Sequence, residues 1–242
     1  MRVIVPVQYL VKLEERLILN EMGTSFLCPE GEGAINDYDL ASLECALRLR
    51  EAGQLSCVSA VSLSHSKAAL LHALAMGADD AHWLYCEAQP STAQAATLLI
   101  DWLKTQNFDL IMSGRLGLAY ESGELSQRIA EALGIACFHD VVELRRDGDR
   151  WLVRCEDEGA RVEFSFTQRA VISSGLRLAQ PRHPSFPSIL RAKTKACTVR
   201  ELALPAGAAA LQTLGLRNAA VRKREPKSMS VEDLVRFLGN KR

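Results

Sequence analysis

The chain has 242 residues, 48% of them hydrophobic and 24% charged, and its 29 basic side chains balance its 29 acidic ones. That length suits one large domain, or one domain with appendages, and is enough to bury a sizeable core. Zero net charge points away from nucleic acid and from a membrane surface as partners, and no apolar run approaches the ~20 residues a bilayer span needs.

The opening stretch, MRVIVPVQ, lacks the layout of a signal peptide and reads as a first strand, Arg2–Val7. Leu10–Asn36 is irregular and holds Gly23, Pro29, Gly31 and Gly33, so it reads as a long loop with room for a hairpin. Asn36 is placed to cap a helix whose first turn gains Asp37 and Asp39 and which stops at Gly53. A strand follows over Cys57–Leu63, then a helix capped by Ser64 and stopped at Gly77, a strand over Ala81–Tyr85 and an amphipathic helix over Ser91–Thr105. Leu110–Ser113 is the next strand, and a helix from about Ser122 to Leu133 ends at Gly134. Strand and helix thus alternate in βαβ units, which predicts an α/β fold with a mostly parallel, doubly wound sheet and helices on both faces.

Beyond this point the pattern changes. Phe138–Arg146, Trp151–Cys155, Val162–Thr167 and Ala170–Ser174 read as successive strands, with hairpin turns at Asp147-Gly148-Asp149 and Asp157-Glu158-Gly159. Antiparallel strands are therefore expected to extend the sheet's edge, completing a domain over 1–174. Residues 175–200 form an arm. Pro181, Pro184 and Pro187 fix their own φ and push their predecessors out of the helical region, so the arm is expected to be extended and outside any sheet. It carries Leu178, Phe186, Ile189 and Leu190, too much apolar surface for a solvated linker, followed by Arg191, Lys193 and Lys195. Two uses are open: the arm packs on its own domain, or it reaches onto a partner. Residues 201–242 form a tail, Ala/Pro/Gly-rich and then basic, in which Ser230 and Asp233 can box the start of a last helix, Val231–Leu238.

Little in the chain suggests catalysis. The seven cysteines, Cys28, Cys45, Cys57, Cys86, Cys137, Cys155 and Cys197, are scattered, with no Cys-x-x-Cys and no Cys/His cluster. They read as thiols of a reducing compartment, the cytoplasm, with Cys57 and Cys137 buried. No nucleophile–base–orienter set stands out among the histidines, and Asp79-Asp80 reads as a solvated acidic pair in a turn. Neither Gly-x-Gly-x-x-Gly nor a Walker-type loop is present. In an open parallel sheet, ligands gather at the carboxyl ends of strands. Gly114 at a strand's end and Ser122-Gly123 at a helix start suit a phosphate there, although on the pattern alone a plain helix start is the favoured explanation.

The arm is also where a family resemblance lies. Leu176-Arg177-Leu178, Pro181-Arg182-His183, Pro187 and Ala192-Lys193 resemble the signature of the small (beta) subunit of electron-transfer flavoproteins. Asn36-Asp37-Tyr38-Asp39 with Ala46-Leu47-Arg48-Leu49, and Ala73-Leu74-Ala75-Met76-Gly77-Ala78-Asp79, are similar to two further motifs of that family. The register holds over most of residues 1–200; the last forty carry no recognisable motif. The resemblance implies a Rossmann-like nucleotide-binding fold. It also implies a chain that is not an enzyme by itself but shapes, with a large (alpha) subunit, a cleft for FAD held mainly by that subunit, through which electrons pass from a dehydrogenase to an acceptor.

By the same resemblance, Pro6, Asn36, Leu63, Gly114, Ser122, Gly123, Glu124 and Leu125 lie where the family holds AMP, or the AMP half of a second FAD. The loop departs from the pattern at Leu116, Ala119 and Glu124, and a carboxylate at Glu124 would repel a phosphate unless turned away. Glu156 matches a glutamate that pairs with an arginine of the partner. Leu178, Pro181, Arg182, Pro184, Phe186 and Pro187 fall in the loop that docks the dehydrogenase, with Phe186 at the position of its anchoring leucine. Two alternatives stand beside this reading: a nucleotide-free scaffold derived from such a subunit, and a stand-alone adenine-nucleotide-binding enzyme.

Overall fold

A computed structural model of the chain describes residues 1–11, 18–19, 21, 23, 26–27, 33–87, 90–117, 123–204, 214–215 and 230–239. In chain order its first half holds β1 (Arg2–Pro6), β2 (Tyr9–Val11), β3 (Ile18–Leu19), β4 (Phe26–Leu27), β5 (Gly33–Ile35), α1 (Asp37–Glu51), β6 (Cys57–Ser62), α2 (Ala68–Met76), β7 (Asp80–Tyr85), α3 (Thr92–Leu103) and β8 (Leu110–Gly114). The second half holds α4 (Leu125–Leu133), β9 (Ala136–Asp147), β10 (Arg150–Asp157), β11 (Ala160–Phe166), β12 (Ala170–Ser174), α5 (Phe186–Thr194), β13 (Thr198–Glu201) and α6 (Val231–Gly239).

Local chemistry explains the helix ends. The Asn36 side chain accepts from the Tyr38 N–H at the start of α1, which carries Asp37 and Asp39 in its first turn and Arg48 and Arg50 in its last, as the helix dipole favours. Ser91 and Gln94 form a reciprocal capping box on α3. The expected cap at Ser64 is absent. Its hydroxyl is taken by the Tyr9 N–H and by Ser62, so α2 starts only at Ala68.

Nine strands form one sheet in the order β11-β10-β9-β12-β8-β1-β6-β7-β13. Seven of them run parallel, and β10 and β11 add the antiparallel wing. The chain winds outward from β1 through β6 to β7, then crosses back to β8 on the other side of β1. α1 and α2 consequently cover one face, where Leu43, Leu47, Leu70 and Leu74 join the strand side chains Val3, Val5 and Val58. α3 and α4 cover the other with Leu99, Trp102, Leu103 and Ile129, against Ile4, Ile111 and Val171. The switch of winding direction places a crevice between the carboxyl ends of β1 and β8.

Several expectations need correction. β12 is not the last antiparallel strand of the wing; it lies inside the sheet, parallel to both β8 and β9, so the arm leaves from the middle of the molecule. The arm is also not extended throughout. It turns helical at α5, with Ser185 as cap and Pro187 in the first turn, where a proline's missing N–H has no intrahelical acceptor to lose. After α5 the chain rejoins the sheet as β13 beside β7. Cys57 and Cys137 are half-buried rather than buried, because they sit at the rim where β6 and β9 begin. Asp79 and Asp80 are engaged, not merely solvated: Asp79 accepts from the Val58 N–H and Arg50, and Asp80 faces His82 at 3.2 Å. The last helix forms as expected, with Ser230 bonded to Asp233, and residues 231–238 are all exposed. Cys28 and the Ala/Pro/Gly-rich stretch from residue 205 lie outside the described residues.

Candidate functional site

The crevice is built around Asp39. Its carboxylate accepts from the Gln8 N–H at 2.9 Å and from the Gly114 N–H at 3.0 Å, and so ties together the ends of β1 and β8. Burial pushes this carboxyl up to about 7, against the opposing pull of those two backbone N–H groups and of Asn36. Gly114 is required by the same contact, since a Cβ there would lie 2.5 Å from Asp39 Oδ1. Asn36, buried at the start of α1, donates from Nδ2 to the Leu116 carbonyl at 2.7 Å and fixes the loop after β8.

Around this floor the structure brings together Pro6, Asn36, Gly114, Gly123 and Leu125, with Gln8 and Arg115. An adjoining apolar pocket shares Pro6, Gln8 and Leu125 and adds Leu63, Val61 and Leu99. Ser122 lies outside the described residues. Glu124 stands apart from both linings: its carboxylate takes the Arg128 guanidinium at 2.8 Å, one turn along α4. Glu124, at the cap position of α4, makes no side-chain cap bond, and Gly123 precedes it with φ 63°. The arrangement offers an apolar wall for a flat ring, backbone donors at a helix start and one cation for a negative group.

That cation, Arg115, was not among the candidate site residues of the sequence reading, nor were Gln8 and Asp39, although Arg115 and Gln8 lie at strand ends where ligands gather. Arg115 donates to Asp140 at 3.1 Å and lies 5.8 Å from the centre of the Tyr38 ring, while its Nε is buried and has no hydrogen-bond partner among the described residues. Its position directly after the strand-ending glycine was the available signal. Asp39 looked like an ordinary first-turn helix acid.

The residues expected to face a partner are elsewhere. Leu178 is half-buried against the core. Arg182 donates to Glu44 at 2.8 Å and to Glu51 at 2.5 Å, both on α1, and Arg48 reaches the Gln180 carbonyl. Burial alone would push the Glu44 carboxyl up, but bonds from Arg182 and Arg48 outweigh it and hold it below its usual range. These contacts fix the arm's root on its own domain. Pro181 and Pro184 are half-buried, whereas Pro187 and Phe186 point outward, Phe186 at 71% exposure. The root therefore takes the first of the two uses left open by the sequence, packing on its own domain, while the tip is exposed. Glu156 is held by Arg177, whose Nη1 donates to both carboxylate oxygens at 2.7 and 2.8 Å. Among the described residues no group of three or more His, Cys, Asp or Glu side chains could hold a metal ion.

Comparison with known proteins gives the family of the chain. The electron transfer flavoprotein domain matches residues 25–205. The chain belongs to the electron transfer flavoprotein family. Within it, the chain is 30% identical over 195 residues to the electron transfer flavoprotein subunit beta of Bacillus subtilis, covering 78% of this chain and 74% of that protein. It is 28% identical to the subunit beta of Bradyrhizobium diazoefficiens over 245 residues, or 99% of this chain and 98% of the other. A mitochondrial subunit beta of Arabidopsis thaliana matches at 28% over 247 residues, with the same coverage. The two longer matches take in the last forty residues, where no motif was recognisable. Among the described residues no helix is long and apolar enough to cross a membrane.

Proposed function

We propose that this chain is the small subunit of a heterodimeric electron-transfer flavoprotein. It shapes, with a large subunit, the cleft that holds FAD, docks a dehydrogenase through the tip of its arm, and has no catalytic centre of its own. The observation that carries the docking role is Phe186: a large apolar side chain exposed on a helix whose root is locked by Arg182 to α1. A few buried anchors dominate transient interfaces, and an anchor already ordered costs little further entropy on docking. The exposed apolar side chains of α6, including Val231, Val235 and Leu238, are suited to the large subunit.

The crevice at β1 and β8 is the site for an adenine nucleotide, either AMP or the AMP half of a second FAD. Its residues fit such a group: Pro6, Leu63 and Leu125 offer a wall for the base, and α4 and Arg115 offer donors for the phosphate. Glu124 is turned onto Arg128, which removes the repulsion its sequence position suggested.

The test is to co-express the chain with its large subunit, denature the purified pair, and count released FAD and AMP per heterodimer. An adenine nucleotide beyond the first FAD is expected. One FAD alone would replace this reading with the nucleotide-free scaffold, and the absence of any flavin would overturn the subunit assignment.

A further inference from the structure

The crevice and the root of the arm share one junction. β12 ends at Ser174, whose carbonyl accepts from the Arg115 N–H at 3.0 Å and whose hydroxyl bonds Ser42 at 2.6 Å and the Tyr38 carbonyl at 2.9 Å. The next residue, Gly175, opens the arm and donates to the Val141 carbonyl at 2.9 Å. Against it stands Asp140, held at φ 49° where the β9 register slips past β12; a Cβ on Gly175 would lie 2.6 Å from Asp140 Oδ1. Few non-glycine residues adopt such a φ without support from their surroundings. For Asp140 the visible support is Arg115, which lines the crevice.

We propose that an anionic ligand in the crevice and the Asp140 carboxylate compete for Arg115, so that occupancy of the crevice sets how firmly the arm's root is held. This rests on the nucleotide reading above and adds a regulatory consequence to it. In one state Arg115 pairs with Asp140, and the carboxylate wedges against Gly175. In the other the guanidinium turns to the ligand's phosphate, which also supplies an acceptor for the Nε that has no partner among the described residues. Asp140 is then a carboxylate without its cation, in a backbone conformation it no longer has reason to keep, and the bond from Gly175 to Val141 loosens. Two sites, two states and a differential contact in each are what a coupling requires.

The measurement is hydrogen exchange at the amides of Gly175–Leu178 in the heterodimer, stripped of nucleotide and then supplied with AMP. AMP is expected to speed exchange there by about fivefold or more, the lower end of ordinary couplings. In Asp140→Ala these amides should already exchange at the faster rate, AMP should add nothing, and, because coupling is reciprocal, AMP should bind more tightly by the same factor. Arg115→Gln should bind AMP weakly, and Arg115→Gln with Asp140→Ala, which removes both charges together, should not recover it. If AMP binds the wild-type pair and exchange at the arm's root is unchanged, or if Asp140→Ala behaves as wild type, the coupling is wrong while the nucleotide reading stands. If AMP does not bind the wild-type pair, both fall.

Discussion

Asp39 shows how much one side chain can hold. A carboxylate that receives the N–H groups of two different strands clamps the crevice open at a fixed width, and it does so from inside the protein, where its charge is costly. The folded pKa, about 7, lies above the usual 3.8. Between those values the folded state keeps a proton that the unfolded state has released. The residue's contribution to stability is therefore fully present below about pH 4, declines as pH rises, and is gone above about pH 7. At ~1.4 kcal/mol per pH unit the whole span is on the order of 4 kcal/mol. Urea unfolding at pH 5 and pH 7.5 should show wild type losing stability between them relative to Asp39→Asn. The asparagine variant, with one acceptor for two N–H donors, should be weaker by about 1–3 kcal/mol at pH 5. An identical pH dependence in the two proteins would mean that Asp39 does not titrate in this window.

At the scale of elements, the arm divides into a root held on its own domain and an exposed tip, to which the proposed docking role belongs. Phe186→Ala should leave flavin content and melting temperature unchanged but slow reduction of the flavin by its dehydrogenase; unaltered reduction kinetics would take Phe186 out of the interface. This division explains which parts of the molecule were legible in its residues. The βαβ alternation, the cap at Asn36 and the hairpin glycines are local signals, and Gly114 and Gly123 follow from knowing where a strand ends and a helix starts, whereas Pro6 and Leu63 were reached through the family resemblance. The place of β12 was not legible. Ala170–Ser174 is plainly a strand, but whether it pairs at the rim or between β8 and β9 depends on partners far away in the chain. α5 was hidden by Pro187, a helix breaker anywhere except the first turn it occupies. The arm's ion pairs were illegible for the same reason as β12: Arg182 and its carboxylates are separated by 131 and 138 positions.

The whole molecule is a doubly wound core with two exposed extensions. The nine residues of α6 are too few to be stable as a helix in water unaided; full burial of side chains such as Val231, Val235 and Leu238 would contribute ~1.5–3 kcal/mol each. Removing residues 230–242 should leave the melting temperature of the isolated chain unchanged and weaken its hold on the large subunit by about tenfold or more. Equal affinity after truncation would show that the tail plays no part in assembly.

The other extension begins at β12, in the middle of the sheet, passes over α1 and α2, and is stitched back at the outer edge as β13. A strap buckled at both ends keeps its tip in place even while its root loosens. Under the proposed function, dehydrogenase molecules arriving one after another would meet the same tip each time, and traffic would be set by how often they collide and how fast they leave.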